Sequence, residues 1–148
     1  MTRSAKKWRR SKDPLWRGDS AAGVSLPSPD ADRSIVRHVL YLDGAGRATP
    51  YHSTSERREV AEHFAGDAGA RVYETSVPHA ETLGVSAISN IELLSLLKGK
   101  GHGDAAWPSA FEVLQARKYV EQWSEHLLKF CDVTGDADLA GIVKKLYR

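Results

Sequence analysis

The residues of this chain whose types could do chemistry are scattered, and each has an ordinary reading beside a functional one. Arg17 follows the apolar pair Leu15-Trp16 and precedes Gly18 and Asp19, so it stands at the end of an expected strand. A guanidinium there can grip phosphate or carboxylate with a planar fork, or it can pair with Asp19 at the surface. Ser53, Thr54 and Ser55 put three hydroxyls at the end of a second expected strand. Each wants a hydrogen-bond partner, so the run is either a helix cap or part of a site. His52 beside them can touch a ligand or make a structural hydrogen bond. Glu112 is an acid near the start of an otherwise apolar element, either on its outer face or functional, because acids are rarely buried without a partner. The run Lys98 to Pro108 alternates three glycines with Lys98, Lys100 and His102 and then presents Trp107. It makes a flexible, cationic loop with an aromatic tip, but lacks the Gly-Lys-Ser/Thr ending of a phosphate loop. The histidines have no helical or cysteine-linked spacing for zinc, so no metal is expected.

The elements that must position these residues follow from apolar spacing. Leu15 and Trp16 suit a short strand, followed by a proline-punctuated loop to Pro29. Ile35, Val36, Val39 and Leu40 have helical spacing, with Ser28 or Asp30 as cap; a strand from His38 to Leu42 is the alternative. Asp43 to Arg47 reads as a loop. The hydroxyl strand passes at once into a helix capped by Ser55, with Val60, Ala61, Phe64 and Ala65 inward, ending at Gly66. Arg71 to Val77 reads as a strand stopped by Pro78. Ile88 to Leu97 reads as a helix behind Ser89 or Asn90. Phe111 to Val120 reads as a strand, and Glu121 to Phe130 as a helix with Val120, Trp123, Leu127 and Phe130 on one side. Thr134, Gly135 and Asp136 break the chain before a last amphipathic helix of Leu139, Ile142, Val143 and Leu146.

Composition sets the bounds. A chain of 148 residues makes one domain with room for a core. The net charge of +2 excludes polyanion binding by bulk charge alone, yet Arg3, Lys6, Lys7, Arg9, Arg10 and Lys12 crowd a start that holds no acid before Asp13. Residues 1 to 13 therefore read as a basic mobile tail with access to phosphate, and 14 to 148 as the domain. The single cysteine, Cys131, excludes an internal disulfide and suits a reducing compartment. No apolar run is long enough to span a bilayer, and none follows the basic start as a secretory signal would require. A cytoplasmic protein is expected, or one delivered by a route without a cleaved signal.

Taken in order, PLWRGDS, PYHSTS with the following EVAEHFA, RVYETSV and WPSAFEVL resemble the mono-ADP-ribosyltransferase superfamily in its Arg–Ser–Glu branch, over roughly Leu15 to Val120. PLWRGDS looks like that branch's aromatic-Arg-x-Asp strand, PYHSTS its hydroxyl strand, and WPSAFEVL its glutamate strand; RHVLYLDGAGRATPYHSTS is similar to the loop leading into the hydroxyl strand. The resemblance implies an α+β fold: a split sandwich of two twisted mixed sheets around an NAD cleft, flanked by helices. It implies NAD as substrate, with no metal, and catalytic Glu112, Ser53 and Arg17. Gly18, Asp19, His52, Thr54, Ser55 and Phe64 would line the NAD site. Lys100, His102, Trp107 and Ala110 would meet the acceptor. Ala110 departs from the pattern, since many members carry Glu or Gln two places before the catalytic glutamate.

The implied chemistry is cleavage of the nicotinamide–ribose bond through an oxocarbenium-like transition state. Glu112 would stabilise the sugar cation, Ser53 would brace Glu112, and Arg17 would clamp the pyrophosphate, with Asp19 orienting it. Transfer of ADP-ribose to a protein or nucleic acid, by a toxin or effector with a cognate antitoxin or immunity protein, is the resulting expectation. Hydrolysis of NAD with water as acceptor, or a non-catalytic nucleic-acid-binding module, are the alternatives.

Overall fold

Residues 7–19, 23–42, 48–66, 71–133 and 138–148 are described in a computed structural model of the chain. The first six residues and the breaks expected at 43–47 and 134–136 lie outside them.

Strand β1 runs Pro14–Asp19 and opens on proline, which a first strand position tolerates. The expected helix follows as a short α1, Ile35–Val39. Its cap is Ser34, not Ser28 or Asp30, and the Ser34 hydroxyl accepts the Arg37 N–H. β2, Tyr51–Ser55, leads into α2, Arg58–Ala65, which buries Val60 and Ala61 and ends at Gly66. Ser55 belongs to β2 and is not the cap position, although its Oγ accepts the Arg57 N–H. β3 is Arg71–Ser76. Pro78 does more than stop it. It sits in the first turn of α3, Val77–Thr82, where a missing N–H is harmless, and Ser76 caps that turn. β4, Ser86–Ile88, is too short to announce itself. α4, Asn90–Leu96, starts in a reciprocal capping box between Ser89 and Glu92.

The next two elements exchange the expected types. Phe111 to Val120 is not a strand: it lies within α5, Ala110–Gln122. Glu121 to Phe130 is not a helix: it contains β5, Glu125–Lys129. In α5, Val113, Ala116 and Val120 recur at helical spacing on the buried side, and the Ser109 hydroxyl accepts the Glu112 N–H at the start. In β5 the first four residues are all buried, because the strand is covered on both faces and so shows no alternation. α6, Leu139–Leu146, closes the chain as expected.

The strands form one five-stranded sheet in the order β3-β1-β2-β5-β4, with every neighbouring pair antiparallel. The α+β class holds. Among the described residues there is one antiparallel sheet where two mixed sheets were expected. Leu127 and Leu128 are both fully buried and belong to separate cores, as successive strand residues must when both faces are covered. Leu128 packs with Leu15, Phe130 and residues of α3 and α6. Leu127 packs with Tyr51 and residues of α1, α4 and α5.

The expected tail is in part structural. Trp8 packs partly buried against the first core, donates Nε1–H to the Pro14 carbonyl at 2.9 Å, and lies 4.2 Å from the His126 ring. Arg10 pairs with Glu92 at 3.0 Å. No helix among the described residues is long and apolar enough to cross a membrane.

Candidate active site

The site begins where the sheet loses its ladder. β1 and β3 keep six residues in register from Pro14↔Ser76 to Asp19↔Arg71, but β1 meets β2 at Trp16↔Ser55 alone. Beyond that pair the strands part. The Ser53 carbonyl, in the parted stretch, accepts instead from the Arg17 guanidinium at 2.9 Å. The same guanidinium donates to Asp19 Oδ2 from Nε at 3.2 Å and from its outer nitrogen at 3.1 Å. Asp19 thus holds Arg17, and Ser25 Oγ accepts a further guanidinium N–H at 3.3 Å.

A cavity of about 430 Å³ opens at this parting, within the range of small-molecule sites. α2 walls one side with Val60, Ala61 and Phe64; the end of α1 and its exit supply Val39, Leu40 and Tyr41; α5 and its exit supply Tyr119 and Trp123. The sheet contributes Trp16, Arg17, Gly18, Ser53, Thr54, Ser55 and Glu125. Aromatic rings therefore surround one acid. Glu125 is only 7 % exposed. Burial pushes its carboxyl up to about 7, against the neighbouring Ser53 hydroxyl and the Arg17 charge, both of which favour ionisation. In register Ser55 faces Glu125 and Ser53 faces Leu127, so Ser53, Ser55 and Glu125 share one face of the sheet.

Tyr41 (φ 53°) and Ser124 (φ 46°) are the non-glycine residues at positive φ among the described residues. One lines the cavity and the other immediately precedes Glu125. Such backbone is costly and gathers at functional sites. The Glu125 charge raises the Tyr41 phenol, after the larger effect of burial.

Glu112 is the clear correction. It occupies the first turn of α5, where a carboxylate suits the helix dipole, and its Oε1 accepts the Trp107 indole N–H at 3.1 Å. It does not line the cavity. Arg17 and Ser53 meet at a shared site, but the carboxylate that joins them is Glu125. Glu112→Ala is expected to cost about 1 kcal/mol of stability, read by urea melts, through the lost dipole and hydrogen-bond contributions. Any activity measured at the cavity should be unchanged in that variant.

The other expected residues divide. Phe64 lines the cavity and remains 47 % exposed, packed edge-on to Trp123 at 5.0 Å. Ser55 lines it too, with its hydroxyl donated to the Trp123 carbonyl at 2.7 Å. Thr54 gives its hydroxyl to the His126 carbonyl at 2.9 Å and is buried. His52 lies outside the cavity on the opposite face. Its Nε2–H donates to the Ser25 carbonyl, so its Nδ1 accepts from Tyr147, and burial keeps it neutral. Gly18 serves close packing of α2. Trp107 folds back onto the second core instead of presenting a tip. Lys100, His102 and Ala110 do not line the cavity. Ala110 opens α5, and the loop of Lys100 and His102 reaches the other end of β5, where Asp104 lies 3.9 Å from Lys129, about 13 Å along the strand from Glu125. Among the described residues no cluster of three or more His, Cys, Asp or Glu could hold a metal.

Sequence reasoning missed Glu125, His38, Tyr41, Tyr119 and Trp123. The Ser-x-x-Glu start at Ser109–Glu112 would have marked α5 as a helix and so freed the next apolar run to be the glutamate strand. Compared with family models, curated proteins and solved structures, the chain matches none.

Proposed function

We propose that the protein is an NAD-dependent ADP-ribosyltransferase with Glu125, in place of Glu112, as its catalytic carboxylate. One observation carries this reading: Arg17, Ser53 and a nearly buried glutamate stand on the adjacent strands β1, β2 and β5 around a single cavity. In the resembled branch these are the residue types that act on NAD.

The chemistry follows from their environment. An ionised Glu125 stabilises the positive charge that grows on the ribose as nicotinamide leaves, and low local polarity strengthens that stabilisation. The aromatic wall of Trp16, Tyr41, Phe64, Tyr119 and Trp123 suits a flat cationic ring. Arg17, held by Asp19, Ser25 and the Ser53 carbonyl, supplies a fixed positive charge for phosphate. The resemblance extends the reading to a toxin or effector acting in the cytoplasm on a protein or nucleic acid, with a cognate antitoxin or immunity protein.

Trp123, two places before Glu125, favours a second reading. As with Ala110 before Glu112, no acid or amide stands there to orient an acceptor, so water could take the ADP-ribose. Incubation with labelled NAD and a cell lysate separates the outcomes. Label on macromolecules supports transfer, and free ADP-ribose alone supports hydrolysis. Intact NAD with salt-sensitive nucleic-acid binding would replace both with a binding module.

A further inference from the structure

Beside the cavity stands His38, a half-buried residue bonded to Ser53 of the cavity wall, which the proposed chemistry does not use. α1 is a five-residue helix whose Ile35, Val36 and Val39 are buried, and it carries His38 in its last turn. His38 Nδ1 lies 2.8 Å from Thr49 Oγ1, and His38 Nε2 lies 2.8 Å from Ser53 Oγ. The Tyr51 ring meets the imidazole edge-on at 5.5 Å. We propose that His38 is a positioning residue for Glu125: with Thr49 holding one ring nitrogen, the other fixes the Ser53 hydroxyl so that its proton points at the Glu125 carboxylate.

Proton counting gives the direction. Ser53 has one hydroxyl proton. Ser53 and Glu125 stand on one face of the sheet and line the same cavity; if His38 Nε2 accepted that proton, Ser53 would turn a lone pair to the Glu125 side, and two acceptors would face each other. With Glu125 ionised, Nε2–H therefore donates to Ser53, and in a neutral ring Nδ1 then accepts from the Thr49 hydroxyl. Thr49 Oγ1 in turn accepts the Tyr51 N–H at 3.3 Å. Every hydroxyl and ring proton in the series Thr49, His38, Ser53 then points towards the carboxylate. The backbone of Ser53 is pinned as well, because Arg17 holds its carbonyl at 2.9 Å. A hydroxyl free to rotate would spend part of its time facing away, and Glu125 would hold its proton more tightly. Among the described residues, the charged or titratable groups that line the cavity with Glu125 are Arg17, which favours its ionisation, Tyr41 and Tyr119. His52 stands near His38 but is neutral by burial.

This inference deepens the proposed function and rests on Glu125 being the working acid, so its test is read without NAD. The carboxyl carbon of Glu125 is titrated by NMR in the full-length chain labelled at glutamate, assigned with Glu125→Gln. Relative to the wild type, His38→Ala is expected to raise the midpoint by about one unit, a tenfold weaker acid. His38→Asn, whose shorter amide keeps Thr49 but cannot reach Ser53, should do the same. His38→Gln keeps a donor at the Nε2 position and should stay near the wild-type midpoint. Ser53→Ala should raise the midpoint by itself, and adding His38→Asn to it should add nothing. A midpoint unmoved by both His38→Ala and His38→Asn, or a double variant that adds a second shift, overturns the proposal. Intact NAD in the presence of the expected shifts would instead count against the transferase reading alone.

Discussion

Replacing Glu125 by glutamine is expected to make the protein more stable at pH 8, by about 3 kcal/mol. Burial raises the folded carboxyl from its usual 4.5 to about 7, and each unit corresponds to about 1.4 kcal/mol. Between those two values the folded chain keeps a proton that the unfolded chain has released. Stability therefore falls as pH rises through this window, and the whole penalty is present above about 7. Glutamine carries no charge, can still meet the Ser53 hydroxyl, and leaves Arg17 paired with Asp19 at 3.1 Å. Urea melts of the two proteins should nearly coincide close to pH 4.5 and separate progressively towards pH 8. A gap that stays the same at both ends would mean that Glu125 does not carry its charge in a buried setting. A residue kept at such a cost to folding is characteristic of a functional site.

Gly18→Ala is expected to have a comparable effect of opposite sign. A Cβ at Gly18 would lie 2.0 Å from the Ala61 carbonyl oxygen and 2.5 Å from the Ala65 nitrogen. Both are backbone atoms of α2, so no side chain can swing aside; the helix must lift from β1. Overpacking of this kind costs 1–3 kcal/mol and sometimes more, and about 3 kcal/mol is expected here. α2 also walls the cavity, so lifting it displaces Phe64 and Val60 from the site. Gly141→Ala is the control. There a Cβ would meet Asp138 Oδ2 at 2.5 Å, a side-chain tip that can rotate, and alanine is the better helix former. Thermal melts should show a large loss for the first variant and little change or a gain for the second. Equal losses would place the close approach of α2 in doubt.

These two residues show what could be seen in the sequence and what could not. A glycine at position 18 permits a close backbone approach or a turn, but that its neighbour is the α2 backbone at Ala61 and Ala65 follows only from the fold. Arg17 and the hydroxyl strand were legible because a Leu-Trp pair and a Tyr-His-Ser-Thr-Ser run have few alternatives to a strand. Glu125 was hidden by a real ambiguity. Val120, Trp123, Leu127 and Phe130 recur at helical spacing, and pairing with β2 over five positions and with β4 over three decides for a strand. Phe111, Val113 and Val120 look like strand residues, yet the cap at Ser109 and packing of Val113, Ala116 and Val120 on the second core decide for a helix. Each error followed from the other, and together they placed the expected acid at Glu112, whereas the acid that lines the cavity is Glu125. His38 was invisible for a different reason. Its bonds to Thr49 and Ser53 span 11 and 15 positions and exist only once α1 is laid against β2.

Release of nicotinamide from NAD by Glu125→Gln and Glu112→Gln, side by side with the wild type, is the most direct measurement of the central claim. Loss of a preorganised electrostatic group should slow Glu125→Gln by about 10² to 10³, whereas Glu112→Gln should stay within about twofold of the wild type. Full turnover by Glu125→Gln, or collapse of turnover in Glu112→Gln alone, would contradict the assignment of the carboxylate.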